Sequence, residues 1–152
     1  MLVAERTATE WVEAFAEGWR APTDADSFCD HFEPYLADDI RLVQPQLPEV
    51  IGKRAFRERF ARPLFELLSD IHGTVGTWAS TPDADGEVVL IELTIRAKVG
   101  GRPVALHTVD RITLRDGVAT ERVATLDPLE LLGAVIRSPR SWPTFVRARL
   151  RR

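Results

Sequence analysis

The chain has 152 residues, of which 45% are hydrophobic and 28% charged. Those proportions fit one globular domain over 1–152, large enough to bury a core without metals or disulfides. They exclude a disordered chain, and no apolar run approaches the roughly 20 residues of a membrane helix. Net charge is −3 and unevenly spread. Residues 137–152 hold six arginines and no acid, so the rest carries 14 basic and 23 acidic residues, a balance of −9. An acidic body makes nucleic acid an unexpected partner. The tail could touch nucleic acid or anionic lipid, but the preferred reading is the solvated face of a short terminal helix, and no membrane partner is expected. The start, "MLVAERTATEW", lacks a basic stretch followed by an apolar run, and Cys29 has no second cysteine to pair with. The expected location is the cytoplasm.

Thr7 to Trp19 carries apolar residues at Ala8, Trp11, Val12, Phe15 and Trp19, the spacing of a helix. "APTDAD" breaks it. Asp26 or Ser27 then caps a second helix with Phe28, Phe32, Tyr35 and Leu36 on one face. "DDIRLVQP" is a short strand ended by Pro45, and "QLPEVIG" is a loop. A third helix begins near Gly52, with Phe56, Phe60 and Leu64 four apart. Pro63 should kink or split it near Ala61.

The period then changes. "IHGTVGTWAS" is strand-like, "PDADGE" is a turn, and "VVLIELTIRAK" sets Val89, Ile91, Leu93, Ile95 and Ala97 on one apolar face. "VGGRP" turns the chain into "ALHTVDRITLRDG", and "VATERVATL" follows. Four consecutive strands with short turns make an antiparallel meander. "DPLELLGAVIR" reads as a helix with Asp127 at the N-cap, Pro128 first and Glu130 third, a capping-box-like start. Another short helix ends the chain, so 128–152 is a helical extension with the arginine-rich tail. Helices ahead of an antiparallel meander mean α+β. A curved, mainly antiparallel sheet wrapped over the N-terminal helices would leave a cavity at its open end.

One residue breaks the strand pattern. Leu106, Thr108, Asp110, Ile112 and Leu114 share the more apolar face, with Asp110 in its middle. Either Asp110 is a pocket acid/base, or it is a structural carboxylate bonded to a helix N-terminus or an arginine. His107 falls on the opposite, outer face. His31 and His72 are isolated, and no histidine or cysteine spacing suggests a metal. Arg122 sits in the middle of the last strand, either pairing with an acid of the neighbouring strand or binding an anionic ligand; the pair is the preferred reading. No nucleotide-binding or serine-hydrolase motif occurs.

The order of elements, with "LADDIRLVQP", "GKRAFRERF" and "DRITLRDGVATERVATLD", resembles the nuclear-transport-factor-2-like superfamily in its SnoaL-like polyketide cyclase branch. The resemblance spans about residues 5–128 by element order. It implies a cone with a deep apolar pocket, frequent homodimers, no cofactor, and either a cofactor-independent enzyme or a non-catalytic binding module. In such cyclases the acid/base falls at Asp110, and ketosteroid isomerases keep an acidic residue there to donate to an oxyanion. The isomerases' second acid falls at Gln44, which cannot act as a carboxylate base, and their tyrosine falls at Trp11. Limonene epoxide hydrolases place an acid at Asp127. The rest of their site would fall on "LIEL", where only Glu92 is charged and points away from the apolar set. Asp127 is better explained as a helix cap.

The candidate catalytic residues are therefore Asp110 and Asp127. The candidate substrate-binding residues are Gln44, Trp11, Phe15, Phe56, Phe60 and Arg122. The aromatics are also core residues, because in this fold a core aromatic at the mouth doubles as pocket wall. The expected ligand is a small apolar molecule containing a carbonyl, acted on by cyclase- or isomerase-like proton transfer. The alternative is a binding or interaction module of the same fold.

Overall fold

The computed structural model describes residues 6–45 and 47–150. The first five residues, Gln46 of the loop, and Arg151 and Arg152 of the tail lie outside them. Helix α1 is Ala8–Arg20. Thr7 caps it: its hydroxyl accepts from Glu10 N, and the Glu10 carboxylate accepts from Thr7 N, a reciprocal pair that satisfies free amides of the first turn. Helix α2 is Ala25–Phe32. Its cap is Asp24, rather than the expected Asp26 or Ser27, because Asp24 is the residue with extended backbone and accepts from Ser27 N at 2.8 Å.

Strand β1 is Leu36–Val43, and the loop after it contains the two-residue strand β2, Val50–Ile51. The third helical segment runs as α3 (Lys53–Ala55), a π-helical turn (Phe56–Ala61) and α4 (Arg62–Leu67). The π turn is the irregularity expected at Pro63. Proline cannot donate to the preceding turn, and the chain loosens just before it, with Arg62 N donating to Arg57 O. The loosened turn still buries Phe56 and Phe60.

Strands β3 (Leu68–Asp83), β4 (Gly86–Val99), β5 (Arg102–Arg115) and β6 (Val118–Leu126) form the expected antiparallel meander. Two connections are two-residue turns at Gly100–Gly101 and Asp116–Gly117, and all four residues have positive φ. That backbone suits the natural twist of a hairpin. The sheet order is β2-β1-β6-β5-β4-β3, with β1 parallel to β6. Helix α5 (Pro128–Ile136) and helix α6 (Trp142–Leu150) follow. The chain has the α+β cone architecture that its sequence pattern implied.

The core lies between the inner face of the sheet and α1, α2 and the π turn. Val89, Ile91, Leu93, Ile95 and Ala97 are all buried, as their alternation required. Over them lies an aromatic seam in which Trp11 stacks on Phe15 and Phe28 meets Trp19 edge-on at 5.0 Å. Helix α1 approaches β3 closely where Gly73 offers no side chain: a Cβ there would sit 2.7 Å from Trp19 Cβ and 2.8 Å from Trp19 O. Backbone cannot yield as a flexible side chain can. Gly73→Ala should therefore cost about 1–3 kcal/mol through overpacking, read as a lower urea midpoint. An unchanged midpoint would mean that α1 is not held this tightly.

Candidate functional site

Asp110 lies on the inner face of β5, opposite Ile91 of β4 and Ala124 of β6. Its exposure is 0%. Arg122 reaches it diagonally from β6: Nε donates to Oδ2 at 3.0 Å, and Nη2 lies 2.8 Å from the same oxygen. Asp110 Oδ1 has no hydrogen-bond partner, and neither has the buried hydroxyl of Thr108 two residues earlier on the same face. The arginine's side chain is only 11% exposed, and its guanidinium lies over the rings of Trp19 and Phe60 at 5.7 and 5.4 Å.

A β-bulge brings the two together. Counting back from the Asp116–Gly117 turn, Arg115 pairs with Val118 and Leu114 with Ala119. Regular pairing would then set Arg122 against Arg111 on the outer face. The register shifts between Thr113 and Leu114, so Thr113 pairs with Glu121 and Ile112 with Arg122. Thr120 is the extra residue, and its hydroxyl donates to Thr113 O. One added residue reverses the side-chain alternation beyond it. Arg122 and Ala124 thereby turn inward to meet Asp110.

Arg122 forms part of the wall of a cavity of about 130 Å³. The wall is mainly apolar: Trp19, Phe60 and Leu64 on the helical side, Leu106 and Ala124 on the sheet, with Thr108 as a polar exception. Gln44 stands at one edge, and Leu131, Phe145 and Arg149 of the C-terminal helices close another. The ionisable lining groups among the described residues are Arg59, Arg122 and Arg149. The cavity is therefore apolar and electropositive inside a chain of net charge −3.

The structure brings Gln44, Phe60 and Arg122 to this cavity, with Asp110 directly behind Arg122. Trp11, Phe15 and Phe56 are not part of its wall. They line an adjoining gap of about 20 Å³ in the aromatic core, which shares Trp19, Phe60 and Arg122 with the cavity, and the indole N–H of Trp11 donates to Tyr35 O at 3.0 Å. Asp127 is exposed and accepts from Leu129 N, the geometry of a cap. The capping box expected there does not form, because Glu130 turns away to the next strand. Its carboxylate accepts from His107 N and lies 3.1 Å from His107 Nδ1. The backbone amide of His107, more than the ring, holds that carboxyl below its usual range. His107 is exposed on the outer face, as alternation placed it. Cys29 is buried, and desolvation pushes its thiol up to about 11, so it is no ready nucleophile.

Sequence reasoning missed Thr108, Trp19 and the contribution of α5 and α6. Thr108 was legible as the inward neighbour of Asp110. The others depend on which elements meet at the mouth.

The fold defines a cone-shaped class of α+β protein, here with a buried acid–arginine pair beside an apolar cavity. Comparison with known proteins places it more narrowly. The sequence model of the SnoaL-like domain matches residues 8–122, and the chain belongs to that family. No curated protein matches by sequence. Among solved structures, a Jannaschia sp. CCS1 protein classed as a SnoaL-like polyketide cyclase superposes with a TM-score of 0.67 at 23% identity, covering 86% of this chain and 95% of that one. A nuclear-transport-factor-2-like protein of unknown function from Burkholderia pseudomallei K96243 gives 0.70 at 15% identity, covering 84% and 95%. TerC, co-crystallised with polyporic acid, gives 0.67 at 19% identity, covering 84% and 97%. At these identities the likeness is one of fold.

A buried ion pair is costly to break and cheap to replace as a unit. Arg122→Met, which strands the Asp110 carboxylate, should lower unfolding free energy by about 3–5 kcal/mol. Adding Asp110→Leu to that variant should restore most of the loss in urea denaturation at neutral pH. If the single substitution were nearly neutral, the pair would not be held in a dry site.

Proposed function

We propose that the cavity binds a small, mainly apolar molecule with a carbonyl or acidic oxygen on Arg122. The protein then catalyses proton transfer next to that oxygen without a cofactor. The observation that carries this reading is Arg122 on the cavity wall with Asp110 paired directly behind it, Asp110 Oδ1 unbonded. Arg122 spends Nε and Nη2 on Asp110, which leaves Nη1 to face a ligand oxygen. Charge developing on that oxygen is stabilised by the guanidinium, held in a mainly apolar cavity wall. Asp110 takes the proton from the adjacent carbon, giving an enolate on Arg122. In a cyclisation the enolate carbon attacks a second carbonyl carbon, forming one C–C bond. The resulting alkoxide recovers the proton from Asp110. In an isomerisation the proton returns to a different carbon. Gln44 supplies an amide that orients the substrate and takes no proton.

The fold family includes the TerC structure holding polyporic acid, which supports a small organic ligand here. An anionic or enolisable molecule also suits a wall whose ionisable groups are all arginines.

A second reading, binding without catalysis, is favoured by one observation: Asp110 has no exposed surface. Catalysis therefore requires the Arg122 guanidinium to shift as substrate arrives, whereas binding does not. Hydrogen–deuterium exchange at the α-carbon of aryl-ketone and 1,3-dicarbonyl probes, followed by NMR, separates the two. Wild-type protein should catalyse exchange of a bound probe. Asp110→Asn should slow it about 10²-fold or more while probe affinity stays within the same order of magnitude. Probes that bind but never exchange above background would leave the binding module.

A further inference from the structure

We propose that the outer surface of α5 and α6 docks this protein on an anionic lipid surface. A solvated terminal helix would turn its apolar residues inward. Here Trp142, Val146 and Leu150, spaced four apart along one side of α6, are 50%, 51% and 73% exposed. Leu129 and Ile136 of α5 are also exposed, at 70% and 58%. The inward side of α6 is apolar as well, because Phe145 forms cavity wall. The two helices therefore present apolar residues in both directions, beyond what covering the cavity requires.

From Arg137 through α6 the charge has one sign, with Asp127, the exposed cap of α5, at the far end beside Leu129. Arg137, Arg140, Arg147 and Arg149 are exposed, and none joins an ion pair among the described residues. Residues 137–152 contain no acid to neutralise them. Glu130, the acid of α5, is turned toward His107.

The occupant must accept exposed aliphatic groups and guanidinium groups together. A second copy meeting this face with its own would bring like charges into contact. A nucleic acid would pair with the arginines and leave Leu150 and Ile136 uncovered. An anionic bilayer takes both: aliphatic side chains and an indole sink to the headgroup boundary, and guanidinium groups meet phosphates above it. The same helices supply Leu131, Leu132 and Phe145 to the cavity, so docking would set the helices that wall the cavity against the lipid.

The test is co-sedimentation of the full chain with vesicles of phosphatidylcholine alone, and of phosphatidylcholine mixed equally with phosphatidylglycerol. Binding should be roughly tenfold or more tighter to the mixed vesicles and should weaken as salt is added. Arg140→Ala/Arg147→Ala should remove most of it, and Val146→Ser/Leu150→Ser should weaken it, with circular dichroism showing both variants folded. Equal binding to both vesicle types, or none to the mixed ones, would overturn the proposal. So would a dimer in sedimentation equilibrium that Val146→Ser/Leu150→Ser dissolves, which assigns the face to a second copy. None of these outcomes depends on whether the cavity catalyses a reaction.

Discussion

The long strands of the sheet expose more apolar inner face than the first helix can cover. Strands β3, β4 and β5 have 14 to 16 residues, which at about 3.3 Å per residue approaches 50 Å before twist shortens it. Helix α1 has 13 residues, about 20 Å. It seals the middle of the sheet with the aromatic seam, and the rest of the inner face must find other cover. The π turn and α4 cover part, and α5 and α6 cover another part from the far end of the chain. The cavity is the space left where these elements meet over Leu106, Thr108 and Ala124. Its apolar character follows from the alternation that drives the sheet to fold over its helices.

Behind that apolar wall the fold buries one acid, Asp110, bonded to a wall arginine, Arg122. Taking both ions out of water costs several kcal/mol each, and their mutual attraction offsets the cost only when the geometry is good. Both nitrogens that face Asp110 bond one of its oxygens, and the other oxygen stays unbonded. An aliphatic pair of similar volume would satisfy the core as well or better. Stability therefore gives no reason to keep the pair, whereas a polar group beside an apolar cavity gives one. The same reasoning sets Asp127 apart. It faces solvent, and its bond to Leu129 N accounts for it as a cap.

The C-terminal helices join the cavity to the surface. They lie beyond residue 122, where the match to the SnoaL-like domain ends, yet they complete the cavity wall. Their outer side carries both the exposed aliphatic residues and the unpaired arginines. The arginine cluster was legible in the sequence, and its reading as a solvated face was the natural one for a charged segment. The arginines are indeed exposed; the exposed aliphatic residues between them were not legible, because which side of α6 faces the cavity is set by tertiary packing.

The sequence by itself determined the element order, the meander, the apolar face of β4 and the inward position of Asp110. These depend on local periodicity, and a period of two or 3.6 residues is visible without knowing what packs where. It also placed His107 outside and anticipated an irregularity at Pro63, since alternation and a missing amide are properties of single segments. Only the tertiary structure decided that Trp11, Phe15 and Phe56 belong to the core gap and not to the cavity. All the aromatics share one hydrophobic pattern, and their depth depends on how α1, α2 and the π turn meet. Tertiary structure likewise fixed the partner of Asp110. Plain hairpin counting from the Asp116–Gly117 turn puts Arg122 on the outer face. A single bulged residue, Thr120, turns it inward, because one extra residue in a strand reverses every side chain beyond it.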